Sequence, residues 1–280
     1  MKRTYTWTIK GGRVLTPSPF FIAGIVNVTP DSFYDGGVNY DPAHAVAHGR
    51  MLASQGADIL DVGGESTRPF ADKVSVEDEL SRVIPVVREL ARDHVVSVDT
   101  VKHEVALVAL EAGASIVNDV SAFSADPALL EVVADIKPGY VLMHSQGDPD
   151  KMQIAPHYDD VIEEISVFFK KSLEKLLKAG LPEKNIVIDP GIGFGKTLEH
   201  NIEILKNIDV LMELGFPVYM GLSNKSLWGK LLGLEPQDRQ NATQAATAVL
   251  AARGVSIHRV HEVGLTAQTL RIVKEITKDI

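Results

Sequence analysis

The sequence predicts a (β/α)8 barrel preceded by an N-terminal β-hairpin, and three observations carry that prediction. The chain runs to 280 residues with no linker or low-complexity tract to split it, and α/β barrels commonly spend ~250 residues on one domain. Eight short apolar runs recur along it: Phe21–Val26, Ile59–Val62, Val95–Val98, Ser115–Val117, Tyr140–Met143, Ile186–Ile188, Pro217–Met220 and Ile257–Val260. Each is followed by a polar or glycine-rich segment and then by a longer stretch of helical periodicity. Runs that are apolar at consecutive positions suit parallel strands buried on both faces, and eight such units in a chain of this length point to a closed barrel. A doubly wound open sheet is the structural alternative. The expected division is one domain over 1–280, with the hairpin in 1–20 and the barrel in 21–280.

The elements follow in order. Tyr5–Ile9 and Val14–Thr16 flank Gly11-Gly12, which reads as a hairpin with a two-residue turn, placed to plug one mouth of the barrel. Helical periodicity covers Asp41–Gln55, Val76–Ala91, Val101–Ala112, Pro127–Ala134, Asp159–Ala179, Leu198–Leu214, Lys225–Leu232 merging into Gln240–Arg253, and Ala267–Lys278. Gly56, Gly113 and Gly180 stand just past helical segments as left-handed stops, and Ser75 or Asp126 can cap a start.

Composition narrows the function. Lys and Arg number 28 against 37 Asp and Glu, a formal net charge of −9. Such a surface repels a polyanion, which excludes nucleic acid as the principal ligand while leaving room for a basic pocket that takes a small phosphate. With no Cys, thiol nucleophiles, disulfides and thiolate metal sites are excluded together. No stretch reaches the ~18 consecutive apolar residues of a membrane span, and Met1–Thr8 has no apolar signal core. The expectation is a cytoplasmic protein without a membrane partner.

In a (β/α)8 barrel the site is built at the carboxyl ends of the strands. Those positions hold Asn27, Asp61 with Gly63-Gly64-Glu65-Ser66-Thr67-Arg68, Asp99-Thr100, Asn118-Asp119, His144, Asp189, Ser223-Asn224-Lys225, and Arg259 with His261. Any one of them could be a cap or a structural hydrogen bond. Asp61 reads as structural, with Glu65 and Arg68 near in sequence to share its hydrogen bonding, and Asp119 reads as the cap of the following turn. As a set converging on one mouth they suggest a ligand with two ends. Asp99, Asn118 and Asp189 suit a flat heterocycle bearing N–H and amino donors, whereas Lys225, Arg259 and His261 suit an anion. Asn27 can complete an oxygen-rich site for Mg²⁺, a cation usually held by few protein ligands together with phosphates and water. Alternatively, Arg259 could pair with Glu262 or Asp61 and merely brace the mouth.

Two patterns mislead. Asp189-Pro190-Gly191-Ile192-Gly193-Phe194-Gly195-Lys196-Thr197 ends like a phosphate-binding loop, but the first glycine of that pattern falls on Pro190, and the spacing fits no dinucleotide fingerprint. Its glycines read as letting backbone and Phe194 approach a ligand. His44, His48, His103 and His200 fall in helical stretches and read as surface or packing residues, and His157 and His258 carry no signal.

Gly24-Ile25-Val26-Asn27-Val28-Thr29-Pro30-Asp31-Ser32-Phe33-Tyr34-Asp35-Gly36-Gly37 and Asp61-Val62-Gly63-Gly64-Glu65-Ser66-Thr67-Arg68-Pro69 resemble the two signatures of dihydropteroate synthases. Ser97-Val98-Asp99-Thr100, Val117-Asn118-Asp119, Leu142-Met143-His144, Asp189 to Lys196, Ser223 to Ser226 and Arg259-Val260-His261 follow in that family's order, so that the likeness spans about residues 22 to 272. The resemblance implies condensation of 4-aminobenzoate with 7,8-dihydropterin-6-ylmethyl diphosphate in folate synthesis, Mg²⁺ as cofactor, a sulfonamide target and a homodimer. It implies that Asp99, Asn118, Asp189 and Lys225 hold the pterin, with Met143 and Phe194 lining its slot. Arg259, His261 and Asn27 would hold the diphosphate and metal, Phe33, Thr67, Pro69 and Ser223 would shape the aminobenzoate side, and Arg68 would bind substrate as a further anion group. Lys225, Arg259, His261 and Asp35 are the residues it implicates in catalysis, and Asp31–Tyr40 and Arg68–Lys73 the loops that order over substrate. Asn224, Ser145 and Glu262 depart from residues frequent in the family, which leaves fine details of the pterin pocket open. The alternatives are a corrinoid-dependent methyltransferase of the same superfamily, which needs neither the first loop nor the anion groups, and a non-catalytic pterin-binding barrel.

Overall fold

The computed structural model describes residues 6–16, 19–29, 42–66, 74–146 and 156–277. The first of these segments pairs β1 (Trp7–Thr8) antiparallel with β2 (Val14–Leu15), Trp7 opposite Leu15. The connection is longer than the two-residue turn expected: Lys10–Gly12 forms a 3-10 turn, and the Ile9 amide donates to the Arg13 carbonyl at 2.8 Å. Gly11 and Gly12 have φ of 76° and 77°, a region open to glycine at little cost.

Eight parallel strands follow: β3 (Phe21–Asn27), β4 (Ile59–Gly63), β5 (Val95–Asp99), β6 (Ile116–Asp119), β7 (Gly139–Met143), β8 (Ile186–Asp189), β9 (Tyr219–Gly221) and β10 (Ile257–Val260). Their order in the sheet is β8-β7-β6-β5-β4-β3-β10-β9. A parallel bridge between Ile188 and Val218, with the Ile188 amide donating to the Pro217 carbonyl at 3.0 Å, joins β8 to the approach to β9 and closes the ring. The open-sheet alternative is thereby set aside. β9 starts two residues later than the apolar run suggests, since Pro217 has no amide proton to give a ladder.

Helices α1 (Pro42–Ser54), α2 (Val76–Leu90), α3 (His103–Glu111), α4 (Leu129–Ile136), α5 (Val161–Ala179), α6 (Leu198–Lys206), α7 (Ile208–Met212), α8 (Ser226–Leu232), α9 (Gln240–Ala252) and α10 (Val263–Ile276) surround the strands. Ser75 caps α2 by accepting from the Asp78 amide, and Asp160 caps α5 by accepting from Ile162 and Glu163. The single helix expected over Leu198–Leu214 divides at Asn207, whose backbone leaves the helical region and whose side-chain amide donates to Glu203. α10 begins four residues earlier than its periodicity suggests, because buried Val263 and Thr266 anchor its first turn.

Alternation along the strands sorts the core into two layers. Leu60, Val62, Val96, Val98, Val117, Leu142, Ile188 and Val260 point outward into the packing beneath the helices. Phe21, Ile59, Val95, Ile116, Val141, Val187, Tyr219 and Ile257 point inward and form a separate cluster with Trp7, Ile9 and Leu15. The hairpin therefore plugs the amino-terminal end of the barrel. The Trp7 indole N–H donates to the Asn185 carbonyl at 2.8 Å, and the Asn185 amide donates to the carbonyls of Lys137 and Pro138. Burying side chains of this size contributes about 1.5–3 kcal/mol each. Further along five of the strands the inward positions turn polar: Asp61 after Ile59, Ser97 and then Asp99 after Val95, Asn118 after Ile116, Asp189 after Val187 and Arg259 after Ile257.

Candidate active site

The inward polar residues meet in one bonded chain. Arg259 Nε donates to Asp61 Oδ2 at 2.6 Å and its Nη2 to Asp99 Oδ2 at 2.6 Å, while Asn118 Nδ2 donates to the same Asp61 oxygen at 3.0 Å. Asp61 is fully buried, so one carboxylate organises both the amide and the guanidinium. This corrects the sequence reading of Asp61: its partners are Arg259 and Asn118, while Glu65 pairs elsewhere and Arg68 lies outside the described residues. Arg259 is thus braced by carboxylates, as the alternative held, with Asp61 rather than Glu262 as a partner. Burial works against its charge, but Asp61 and Asp99 outweigh that and keep the guanidinium protonated. A guanidinium has five N–H donors, so two bonds leave three for a ligand.

Opposite this chain lies the glycine-rich loop after β8. Asp189 Oδ1 accepts from the Gly191 amide at 2.7 Å, leaving its other oxygen for a ligand donor. The Lys225 ammonium stands 4.2 Å from the centre of the Phe194 ring, a cation-π pair. Asn118, Met143, Asp189, Gly191, Ile192, Phe194, Gly221, Lys225 and Arg259 line a cleft of roughly 320 Å³, its open mouth included. A larger, more open depression at the hairpin end, lined by Glu183, Lys184 and Phe216 among others, lacks any such convergence of strand-end groups. The loop's glycines serve the protein more than a ligand. A Cβ on Gly191 would lie 1.9 Å from the His144 carbonyl oxygen, and one on Gly195 2.3 Å from that of Gln146. Both sit at positive φ, pressing the loop against the chain that leaves β7.

Burial dominates the electrostatics. It pushes the Asp99 carboxyl up to about 7 against the pull of Arg259, and Asp189 up to about 6 against its bond from Gly191 and the charge of Lys225. The same burial brings Lys225 down to about 8, with Asp189 opposing. Three carboxylates and the cations facing them are thus held in a low-dielectric mouth, where donors or charges on a ligand count for more than in water.

The remaining expected residues are placed as follows. Ser223 Oγ lies 2.9 Å from His261 Nδ1 and accepts from the His261 amide at 3.2 Å, so a residue assigned to the aminobenzoate side touches one assigned to the diphosphate. Asn27 ends β3 beside Gly63, partly exposed at the rim. Asp119 accepts from Ser121, Phe123 and Tyr140, the turn cap expected of it. Phe33, Asp35, Thr67, Arg68 and Pro69, with the loops Asp31–Tyr40 and Arg68–Lys73, lie outside the described residues.

Sequence reasoning missed three features. Lys102 bridges Glu65 and buried Glu79, at 2.5 Å to each, and Glu65 also accepts from the Val74 amide at 3.0 Å. Tyr219 is buried in the barrel with its hydroxyl unpartnered, as are Ser97 Oγ and Asp61 Oδ1. Lys196, dismissed with the false phosphate-loop pattern, is buried beneath the cleft. Period two along β4, β5 and β9 would have put Asp61, Ser97 and Tyr219 on one inner surface; nothing in the sequence pairs Lys102 with Glu79.

A barrel mouth that sets carboxylates and an amide beside an aromatic slot and a guanidinium defines a binder of a flat nitrogen heterocycle, and residues 23–261 match the family described as pterin binding enzyme. The dihydropteroate synthase of Escherichia coli K12 is 43% identical over 255 residues, 90% of either chain. The chain is also similar to two solved structures. The Xanthomonas albilineans dihydropteroate synthase with 4-aminobenzoic acid has a TM-score of 0.92 at 43% identity, covering 99% of this chain and 100% of that one. The Yersinia pestis dihydropteroate synthase in a sulfonamide drug complex has a TM-score of 0.91 at 40% identity, covering 96% and 98%. The chain belongs to the dihydropteroate synthase family.

Proposed function

We propose that this protein joins 4-aminobenzoate to 7,8-dihydropterin-6-ylmethyl diphosphate, giving 7,8-dihydropteroate and pyrophosphate. The observation that carries the reading is the cleft in which Asn118, Asp189 and Arg259, the last bonded to Asp99 behind it, meet Phe194 and Lys225. Asp99, Asn118 and Asp189 accept from the ring's N–H and amino groups, Lys225 donates to its carbonyl side, and Met143 and Phe194 hold its faces. Arg259 turns its remaining donors, with His261, toward the diphosphate.

No protein nucleophile is needed. The bond between the pterin methylene carbon and the diphosphate oxygen breaks with its electron pair leaving on pyrophosphate, and the electron-rich dihydropterin stabilises the positive carbon. The aminobenzoate nitrogen forms the new C–N bond and gives a proton to solvent. The residues contribute orientation and a preorganised field for the departing anion. Asn27 offers one amide oxygen at the rim, a donor that suits a cation completing its shell with diphosphate oxygens and water, and Asn27 would hold Mg²⁺ there. The chemistry such an ion supplies is neutralisation of charge on the leaving group. Among the described residues the one cluster of His, Asp or Glu able to hold a metal is His103, Glu104 and Asp126, which does not include Asn27. By the family resemblance Phe33, Thr67, Pro69 and Ser223 would serve the aminobenzoate side, where a sulfonamide would compete, and Asp35 would take part in catalysis.

No described helix is long and apolar enough to cross a membrane. A second copy of the chain is the partner proposed: α9 and α10 pack together and expose Val249, Leu265, Ile272 and Ile276, apolar surface that a homodimer would cover. The test of function is pyrophosphate release by the purified protein that requires both pterin diphosphate and 4-aminobenzoate. Release without 4-aminobenzoate, or none with both, would reject the assignment.

A further inference from the structure

The glycine-rich loop is held by a lysine that the reaction above does not use. Lys196 is 2% exposed. Its ammonium donates to the carbonyls of Phe194 at 2.9 Å, Gly191 at 3.0 Å and His144 at 3.3 Å, and lies 3.0 Å from His144 Nδ1. All four are acceptors when the imidazole proton sits on Nε2. Burial and the neighbouring Lys196 charge drive the His144 pKa far down, so the ring stays neutral.

None of these bonded partners is a carboxylate. Burial therefore lowers Lys196 to about 7, with Asp189 opposing through space and Lys225 adding to the fall. A methionine of similar shape would fill the space without that desolvation cost, so packing alone does not account for a lysine here.

What the ammonium joins are the two walls of the cleft. His144 follows Met143 at the end of β7, and Gly191 and Phe194 bracket the loop after β8. Met143, Gly191 and Phe194 line the cleft, whereas Lys196 does not. Phe194 in turn carries the Lys225 ammonium on its ring.

We propose that Lys196 is a positioning residue for heterocycle recognition, one ammonium that fixes the spacing of the Met143 and Asp189 walls and the tilt of Phe194 beneath Lys225 without touching the ligand. The inference rests on the pterin reading of the site. Misplacing slot and cation together costs binding steeply, because both must meet a rigid planar ring.

The test is calorimetry with 6-hydroxymethyl-7,8-dihydropterin, the substrate without its diphosphate, on the parent, Lys196→Met, Phe194→Ala and the double variant. Lys196→Met should keep its melting temperature or raise it, yet bind the pterin on the order of tenfold or more weakly. KM for 4-aminobenzoate should change less than about twofold, since that side of the mouth is not held by this lysine. In the Phe194→Ala background Lys196→Met should cost much less than in the parent, because the two act through one contact. Unchanged pterin affinity in folded Lys196→Met, or fully additive losses in the double variant, would overturn the proposal. If Lys196→Met does not fold, Lys196→Gln carries the same measurements; failure of both to fold makes the lysine a structural one and also overturns it. A parent that binds no pterin at all removes the site reading itself, an outcome distinct from a parent that binds and variants that bind equally well.

Discussion

Replacing Arg259 by Ala leaves Asp61 and Asp99 facing each other without their shared cation. Both bonds are 2.6 Å long, Asp61 is fully buried and the Asp99 side chain is only 10% exposed. Removing one partner from a buried pair costs about 3–5 kcal/mol, but the loss depends on pH because a carboxyl can protonate instead. Asp99 is already pushed up to about 7 by burial in the parent, and without the opposing guanidinium its carboxyl rises further above the unfolded value. Below that pKa the folded variant binds an extra proton at Asp99, so the loss is limited to about 2 kcal/mol, the cost of an imperfectly paired buried group. As pH rises through the folded pKa of Asp99 that relief disappears and the loss grows to about 4 kcal/mol. At about 2–4 °C per kcal/mol for a chain of this size, the melting temperature should fall by several degrees at pH 5.5 and by roughly 10 °C at pH 8.5. Thermal melts of parent and variant across that range check the prediction, with Arg259→Ala/Asp61→Asn as the compensated control that should recover much of the loss at high pH. A pH-independent loss, or no recovery in the double variant, refutes the carboxylate-brace argument. Because Arg259 also steadies Asp99, free-pterin affinity should drop somewhat along with pyrophosphate affinity. The larger fall should be in pyrophosphate binding and turnover, since the two bonds to Asp61 and Asp99 leave three of its five donors for the proposed anion.

Asp99→Ala and Asp189→Ala should each weaken pterin binding by about 1.5–3 kcal/mol while remaining folded, read by calorimetry; unchanged affinity in either removes it from the pterin set. Pterin affinity in the parent should also fall as pH drops through about 7 and then about 6, the values to which burial raises Asp99 and Asp189. A carboxylate is the acceptor the ring needs, and its protonated form must first give up a proton. Removal of Mg²⁺ by chelator should suppress turnover, and Asn27→Ala should raise the Mg²⁺ concentration needed for half-maximal rate; full activity in excess chelator would make Asn27 structural. Gly191→Ala, at φ 66° with its new Cβ 1.9 Å from a backbone oxygen, should lose at least about 3 kcal/mol of stability, and a soluble variant with the parent's melting curve would contradict the packing described for the loop.

The barrel was legible because strand burial on both faces writes itself as short, mostly apolar runs recurring eight times between helical stretches, a signal that most of the segments carry alone. Errors fell where a neighbour decided the boundary. The break of α6 and α7 at Asn207 rests on a local side-chain bond to Glu203, and the early start of α10 rests on Val263 and Thr266 being buried on the outer side of the sheet, where α10 packs on β3. The hairpin's place as a plug was readable, but its turn length was not, since the pairing of Trp7 with Leu15 is set by the barrel interior that Trp7 fills.

The sequence by itself determined which residue types stand at the strand ends, and so the chemistry that Asp99, Asn118, Asp189, Lys225 and Arg259 can offer, because residue type and strand position are local properties. Tertiary closure alone decided who meets whom. Asp61 became the partner of Arg259, 198 residues away, and Lys196 that of His144, 52 residues away. Those pairings depend on the curvature of the closed sheet and on two glycines that let one loop lie against another, long-range geometry that no segment of the chain encodes alone.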